Sequence, residues 1–177
     1  MARLACSLGM CIILANGMTT EMQSQEIEEH QLKAAFLFNF TKFINWPPAD
    51  ASSKLTVCVV NAKEVAGALE AVTRGKSVDA RQVIIQQLSF PAALETCQLL
   101  FIGSSGKKME EILMEAKKIP IVTVGEDEKF LRRGGMINFV LEDGKLRFQI
   151  NTDAVGRSGI NISSKLLSLA KIVRDKS

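Results

Sequence analysis

One short apolar run constrains the fold of this chain more than any other feature. Residues 55–60 read Leu-Thr-Val-Cys-Val-Val, a continuous uncharged stretch rich in β-branched residues that is typical of a strand buried on both faces. Helices are predicted to follow at residues 63–73 and 107–118. Further strands are predicted at residues 81–88, 97–102 and 120–124. Strands that alternate with helices predict an α/β fold with a mostly parallel sheet.

The segments on either side of this pattern are predicted from apolar spacing and from turn residues. A helical periodicity over residues 27–44 predicts an N-terminal helix. Trp46-Pro47-Pro48 should end it, because a proline pushes the preceding residue out of the helical region. Asp143-Gly144 is a strong hairpin signal between strands. A helical turn is predicted at residues 129–133, and the two hairpin strands at residues 136–141 and 145–150. A turn at residues 155–159 and a closing helix at residues 162–174 complete the prediction.

Length and charge limit the organisation of the chain. Its 177 residues are enough for one domain, at roughly 100–200 residues per domain. We expect a flexible stretch at residues 18–29 and a single Rossmann-like domain at residues 30–174, with no dinucleotide motif. The net charge is only +3, with basic and acidic residues interleaved, which argues against nucleic acid as a partner.

The first residues have the pattern of an export signal. Arg3 precedes an uncharged apolar run over residues 4–15, and Ala15-Asn16-Gly17 places small residues before a cleavage site. The run is too short to span a bilayer, which needs about 20 residues. We therefore predict a signal peptide at residues 1–17 and a periplasmic mature protein that is soluble after cleavage. A short buried helix and a lipoprotein signal ending at Cys11 are the alternatives.

Export would leave two cysteines in the mature chain. Cys58 and Cys97 are 39 residues apart, and neither belongs to a Cys-x-x-Cys pair, so a zinc site is disfavoured. In an oxidising compartment an isolated pair is most simply a disulfide. Two separately buried thiols are the alternative.

No pattern of residues predicts a catalytic, cofactor or metal site. Gly103-Ser104-Ser105-Gly106 lies between a strand and a helix, where backbone amides can hold an anion. It matches neither of the common phosphate-loop patterns, and a serine-capped turn is the simpler interpretation. His30, the one histidine, lies far away in sequence. Glu126-Asp127-Glu128 lacks the spacing of a calcium loop, which favours an exposed loop that caps the next turn.

Two groups of residues are candidates for binding a partner. Arg132 and Arg133 precede a glycine pair, where they can bind an acidic partner or lie solvated at a helix end. The aromatic residues of the N-terminal helix occupy more than one face, so some must lie in the core and others can form a contact patch. The candidates from this group are Phe36, Phe40 and Trp46.

The order of several segments resembles the YfiR family of periplasmic regulators. Seven segments carry the resemblance and cover about residues 30–173 of the chain. They are residues 32–43, 46–47, 55–60, 97–102, 134–139, 147–151 and 159–167.

The resemblance implies a function through binding. It implies a non-enzymatic periplasmic inhibitor that binds the periplasmic sensor domain of an inner-membrane diguanylate cyclase and keeps cyclic-di-GMP and biofilm formation low. An outer-membrane lipoprotein would sequester the inhibitor and release the cyclase. A periplasmic small-molecule sensor or solute-binding component is the alternative. The sequence does not distinguish a monomer from a homodimer.

The resemblance also assigns roles to individual residues. Cys58 and Cys97 match a structural disulfide of the family, whereas a second cysteine pair found in the best-known member is missing here. Some members bind small aromatic molecules at the segment that matches residues 161–163. Asn161 and Ser163 are therefore the candidates for binding a small molecule.

Overall fold

The computed structural model describes residues 17–46, 54–104 and 108–175. Five α-helices lie in these ranges: α1 to α5 span Gly17–Lys42, Lys63–Thr73, Lys108–Ala116, Thr152–Ser158 and Ser164–Leu167. Ten strands, β1 to β10, span Ile44–Asn45, Leu55–Val60, Ser77–Val78, Arg81–Leu88, Leu99–Ile102, Val122–Gly125, Ile137–Glu142, Lys145–Asn151, Asn161–Ile162 and Lys171–Val173. Leu131–Arg133 forms a 3-10 turn between β6 and β7.

Eight of these strands form one sheet in the order β10-β8-β7-β6-β5-β2-β4-β3. Strands β4, β2, β5, β6 and β7 are neighbours in that order and run parallel. The β7–β8 hairpin is antiparallel, and β10 pairs with β8 as a parallel edge strand. The chain leaves β2 toward β4 on one side and returns to β5 on the other. The predicted α/β fold with a mostly parallel sheet and an appended hairpin is confirmed.

The central strands bury both faces, as the run at residues 55–60 predicts. Alternate residues of β2 and β5 belong to two separate hydrophobic clusters, because successive side chains of a strand point to opposite faces. Helices α1 and α2 cover the cluster that contains Val57 and Phe101. Helix α3 covers the other cluster, and its buried face consists of Met109, Ile112, Leu113 and Ala116.

The N-terminal helix is longer than expected. We predict a loose stretch at residues 18–29 and a helix from about residue 27, whereas α1 is continuous from Gly17 to Lys42. No proline interrupts residues 18–29, which are rich in Glu, Gln and Met, and these are good helix formers. The predicted leader at residues 1–17 lies outside the described residues except for Gly17.

The predicted closing helix over residues 162–174 is wrong. This stretch forms β9, the four-residue helix α5 and the edge strand β10, which pairs with β8. Ser163 begins α5 by accepting a hydrogen bond from the backbone N–H of Leu166, which is the role of an N-cap residue. Of the residues that gave the apolar periodicity, Leu166 is buried, whereas Leu169 is 68% exposed. Pairing with the open edge of β8 therefore outweighs the helical pattern.

The hairpin turn follows the prediction closely. Glu142 pairs with Lys145 across the turn, and Asp143 and Gly144 both have positive φ, at 51° and 70°. Positive φ at both central residues is the type I′ geometry, whose twist matches that of the flanking strands.

The two cysteines of the core are joined. A disulfide links Cys58 in β2 to Cys97 just before β5, with 5.7 Å between their Cα atoms. Both residues are buried beneath α3. Within the described ranges, no helix combines the length and the apolar character needed to cross a bilayer.

We expect the double substitution Cys58→Ala with Cys97→Ala to lower the free energy of unfolding by about 4 kcal/mol. The bond closes a separation of 39 residues, and its loss frees the unfolded chain. Urea unfolding monitored by circular dichroism, under oxidising conditions, measures the change. An unchanged free energy of unfolding would show that the bond has no stabilising role.

Candidate functional site: a basic cleft

A cleft of about 660 Å³ lies at the carboxyl ends of β8 and β10. Its charged lining comes from the residue after α3, the loop between β6 and β7, α4, and the residues after β10. Five cations meet two carboxylates there: Lys117, Arg132, Arg133, Arg157 and Arg174 against Glu128 and Asp175. We call this region the basic cleft. Its positive excess favours a negatively charged occupant.

A buried aromatic ring positions the loop that carries two of these arginines. The ring of Phe130 is fully buried and packs against the backbone of Gly125 and Gly135. A methyl group added at either glycine would come within 2.3 or 2.2 Å of the ring. Gly134 ends the 3-10 turn in the left-handed conformation, at φ 92°, which favours glycine. The loop is therefore held at its base while its arginines reach the surface.

The two neighbouring arginines have different surroundings. Arg133 is partly buried and forms an ion pair with Glu110 of α3, and its backbone carbonyl accepts a hydrogen bond from Lys117 Nζ at 3.1 Å. Arg132 is exposed, as is Arg174. Neither Arg132 nor Arg174 has an acidic partner within the described part of the chain. These two guanidinium groups are the ones most available to a ligand.

Asn151 forms the floor of the basic cleft and is only 1% exposed. Its Oδ1 accepts hydrogen bonds from the backbone N–H groups of Asp153 and Ala154, each at 3.1 Å, which caps α4. The same side chain donates through Nδ2 to Asp175 Oδ1 at 2.8 Å. Nδ2 also donates to the Leu131 backbone carbonyl at 3.4 Å, so the cap and this bond fix the amide with one N–H directed at Asp175.

Asp175 is held by two groups of the basic cleft. Its Oδ2 pairs with the Arg157 guanidinium at 2.6 Å, in addition to the bond from Asn151. These contacts, with Asn151 first and Arg157 second, hold the pKa of Asp175 below its usual value. The carboxylate therefore stays ionised at neutral pH and anchors the end of the chain.

The crevice between the ends of β2 and β5 is a second place where a ligand site is expected in this type of sheet. In open α/β sheets, ligands bind where the connections from neighbouring strands diverge. Here the loops pack tightly, since a methyl group on Gly103 would lie 2.4 Å from the Asn61 carbonyl oxygen. Glu126 Oε1 accepts a hydrogen bond from the Ser104 amide at 3.2 Å. The protein's own carboxylate thus occupies the Ser104 amide.

Helix α1 holds Glu126 in this position. Lys33 is only 8% exposed, and its Nζ lies 2.6 Å from Glu126 Oε2 and 2.5 Å from Glu29 Oε1. Burial by itself lowers the pKa of Lys33, but the hydrogen bonds to Glu126 and Glu29 outweigh it and leave the pKa raised. This ion pair joins the N-terminal helix to the loop that follows β6.

The aromatic residues predicted as a contact patch lie mostly in the core. Phe40 and Trp46 are buried, and Phe36 is half-buried against the same core. The ring of Phe40 packs against Phe139 and Phe148 at centroid distances of 5.8 and 5.0 Å. The apolar side chains of α1 are needed to cover the sheet, so few remain for a partner. Of the predicted partner-binding residues, Arg132 and Arg133 are the ones placed at the basic cleft.

The predicted small-molecule residues lie on a different element. Asn161 is exposed on β9, opposite Asn45 of β1, and the Ser163 hydroxyl caps α5. Neither residue lines the basic cleft.

Several residues of the basic cleft escape sequence reasoning. Asn151 follows an apolar strand and precedes a short helix, which is a recognisable N-cap signal. Arg157 and Asp175 are ordinary charged residues, and only the pairing of β10 with β8 brings them together. Glu126, expected in an exposed loop, is half-buried, whereas Asp127 does cap the next turn through a bond from the Lys129 amide.

Comparison with known families agrees with this architecture. A family model described as YfiR/HmsC-like, DUF4154, matches residues 30–171. The chain belongs to this family. The match includes the linked cysteines, α1 from His30 onward, and the arginines of the loop between β6 and β7.

The family member shares its fold with solved structures of low sequence identity. A conserved domain protein from Vibrio cholerae O1 biovar El Tor is 12% identical, with a TM-score of 0.57 over 83% of this chain. The ABC domain in complex with L-Trp from Streptococcus pneumoniae is 10% identical, with a TM-score of 0.56 over 81%. This chain spans 60% of each of those chains. No curated protein matches.

We expect Lys33→Met to destabilise this family member by about 3 kcal/mol. The change leaves the half-buried Glu126 carboxylate without its cation, and loss of one partner of a buried pair costs about 3 kcal/mol or more. Lys118→Met is the matched control, because its partner Glu115 is exposed and such pairs contribute less than about 1 kcal/mol. Urea unfolding at neutral pH measures both variants. Equal losses would contradict a special role for the Lys33 pair.

A second prediction concerns the pKa of Asp175. Arg157→Gln should raise this pKa toward its ordinary value of 3.8, because the neighbouring positive charge is lost. Since the folded-state pKa is depressed, the anchoring contact persists above 3.8 and is lost as pH falls through the lower folded value. Carbon-detected NMR titration of the side-chain carboxyl measures the shift. An identical pKa in both proteins would contradict the role of Arg157.

Proposed function

We propose that the exported mature protein is a negative regulator in the periplasm. It binds the periplasmic domain of an inner-membrane diguanylate cyclase and holds that enzyme inactive, which lowers cyclic-di-GMP and limits biofilm formation. Membership of the YfiR/HmsC-like family over residues 30–171 is the observation that carries this proposal.

The basic cleft supports a function through binding. Arg132 and Arg174 are exposed and have no acidic partner among the described residues, and arginine is enriched among residues that dominate protein interfaces. The loop that presents Arg132 is held by the buried Phe130 ring, so little ordering is needed when a partner binds. We infer that an acidic surface of the cyclase contacts this region.

The contents of the crevice between β2 and β5 support binding over nucleotide chemistry. An enzyme using a phosphorylated cofactor in this architecture would place the phosphate on backbone amides at that point. Glu126 accepts from the Ser104 amide instead and is balanced by Lys33. A phosphate bound at the Ser104 amide would have to displace a paired carboxylate.

The proposed regulation has a second protein component. An outer-membrane lipoprotein would sequester the regulator and thereby release the cyclase. If it uses the same basic cleft, the two partners compete for one surface. The basic cleft gathers four arginines and one lysine around a volume of about 660 Å³.

The volume of the basic cleft favours one alternative, a periplasmic small-molecule sensor. Binding sites for small ligands are typically about 300–1,000 Å³, and the basic cleft lies in that range. Its charged lining would select an anionic ligand rather than an apolar one.

Deletion of the gene should raise cyclic-di-GMP in a host that carries the cognate cyclase, and Arg132→Glu should reproduce much of this effect. Reversing an exposed charge opposes an acidic partner without removing core volume. Mass spectrometry of nucleotide extracts measures cyclic-di-GMP, and co-purification from periplasmic extracts measures partner binding.

Lys63→Glu is the matched control for this experiment. Lys63 is an exposed lysine at the start of α2, and it does not line the basic cleft. This variant should repress like wild type. If deletion left cyclic-di-GMP unchanged and no sensor domain co-purified, the regulator proposal would be abandoned for the small-molecule sensor. If Arg132→Glu alone were silent, the interface would lie elsewhere.

A further inference from the structure

A carboxylate already occupies the basic cleft, and it belongs to the chain itself. Asp175 Oδ2 lies 2.6 Å from the Arg157 guanidinium, and Asp175 Oδ1 lies 2.8 Å from Asn151 Nδ2. Asn151 is buried and oriented by its cap of α4. A cation and a fixed amide donor that converge on two carboxylate oxygens form a receptor for a carboxylate.

The rest of the lining extends this receptor. Arg132 and Arg174 are exposed in the same cleft and have no acidic partner within the described residues. Lys117 adds a third cation, held near Arg133 by its bond to the backbone carbonyl. An occupant with more than one carboxylate would therefore meet cations beyond those that Asp175 uses.

The segment that carries Asp175 is held by few contacts. Strand β10 has three residues and forms the edge of the sheet. Beyond its pairing with β8, Val173 is partly buried against the core beneath α3, and an ion pair between the exposed side chains of Lys171 and Glu142 anchors its start. The Asp175 amide donates to Asp153 Oδ2 at 2.9 Å. Short edge elements with exposed contacts are among the first to open in a folded protein.

We propose that Asp175 is a built-in competitor: a carboxylate of the bound partner replaces it on Arg157 and Asn151 and releases the C-terminal strand β10. The occupant is an acidic side chain on the regulated protein, so this step rests on the proposed function. Asp175 keeps the receptor filled and lowers its affinity until a partner with several carboxylates arrives. Binding and release of the strand are thereby coupled.

Citrate is a suitable probe, because it presents several carboxylates and needs no knowledge of the partner. We expect Asp175→Asn to bind citrate about threefold to fivefold more tightly than wild type, the effect of freeing one exposed ion pair. Glu142→Gln is the matched control: it removes the other ion pair of β10 but leaves the basic cleft intact, so its affinity should equal that of wild type. Calorimetric titration at constant ionic strength measures all three.

Hydrogen exchange provides a second readout that a merely structural role of Asp175 would not produce. In wild type, citrate should speed exchange of the β10 amides that pair with β8. In Asp175→Asn these amides should exchange faster from the start, with no further effect of citrate. The proposal is overturned if citrate binds neither protein, if Asp175→Asn binds no more tightly, or if Glu142→Gln gains as much affinity.

The outcomes also separate this proposal from the regulatory one. If citrate behaves as expected while no sensor domain co-purifies, the carboxylate receptor stands and the cyclase is the wrong partner. If the sensor domain binds wild type and Asp175→Asn with equal affinity and citrate fails as above, the regulator stands and Asp175 is not its competitor.

Discussion

Two-sided burial of the central strands is the constraint from which the rest of this structure follows. Strands β2 and β5 lie in the middle of the sheet, and their alternate residues enter two separate cores. Each face then requires its own helical cover, which α1 and α2 provide on one side and α3 on the other. The disulfide fixes the second core by tying β2 to the segment just before β5. The basic cleft and Glu126 both lie at strand ends rather than along the enclosed central strands.

The strand ends are used in two opposite ways. At the crevice between β2 and β5, where α/β proteins commonly bind ligands, Glu126 and Lys33 satisfy one another and the Ser104 amide. At the ends of β8 and β10 the charges are unbalanced, with five cations against two carboxylates. Because a paired buried charge resists exchange while unpaired exposed arginines gain from a partner, binding is favoured at the second place. The protein's own side chains therefore pair with each other at the first place, whereas exposed arginines remain available at the second.

Sequence patterns predict the local structure correctly where burial determines it. They fail where a few contacts between distant residues determine it. The run at residues 55–60, the apolar face of α3 and the Asp143-Gly144 turn each reflect a strong local preference, and the structure agrees with them. The C-terminal stretch has helical spacing, but an open strand edge on β8 offers it a better arrangement. The contact of Asp175 with Arg157 depends on that pairing. No local signal could have revealed it, because the partners are 18 residues apart and both exposed.

The residues that stabilise the fold are consequently different from those that form the proposed binding surface. The cores, the disulfide and the Lys33 pair are shielded from solvent, so salt affects them little. The guanidinium groups of Arg132 and Arg174 are exposed and belong to neither core. Substitutions of these exposed arginines would therefore change the charge of the basic cleft at little cost in folding free energy. The short edge strand β10 is the element through which such a change would also alter the mobility of the C-terminal segment.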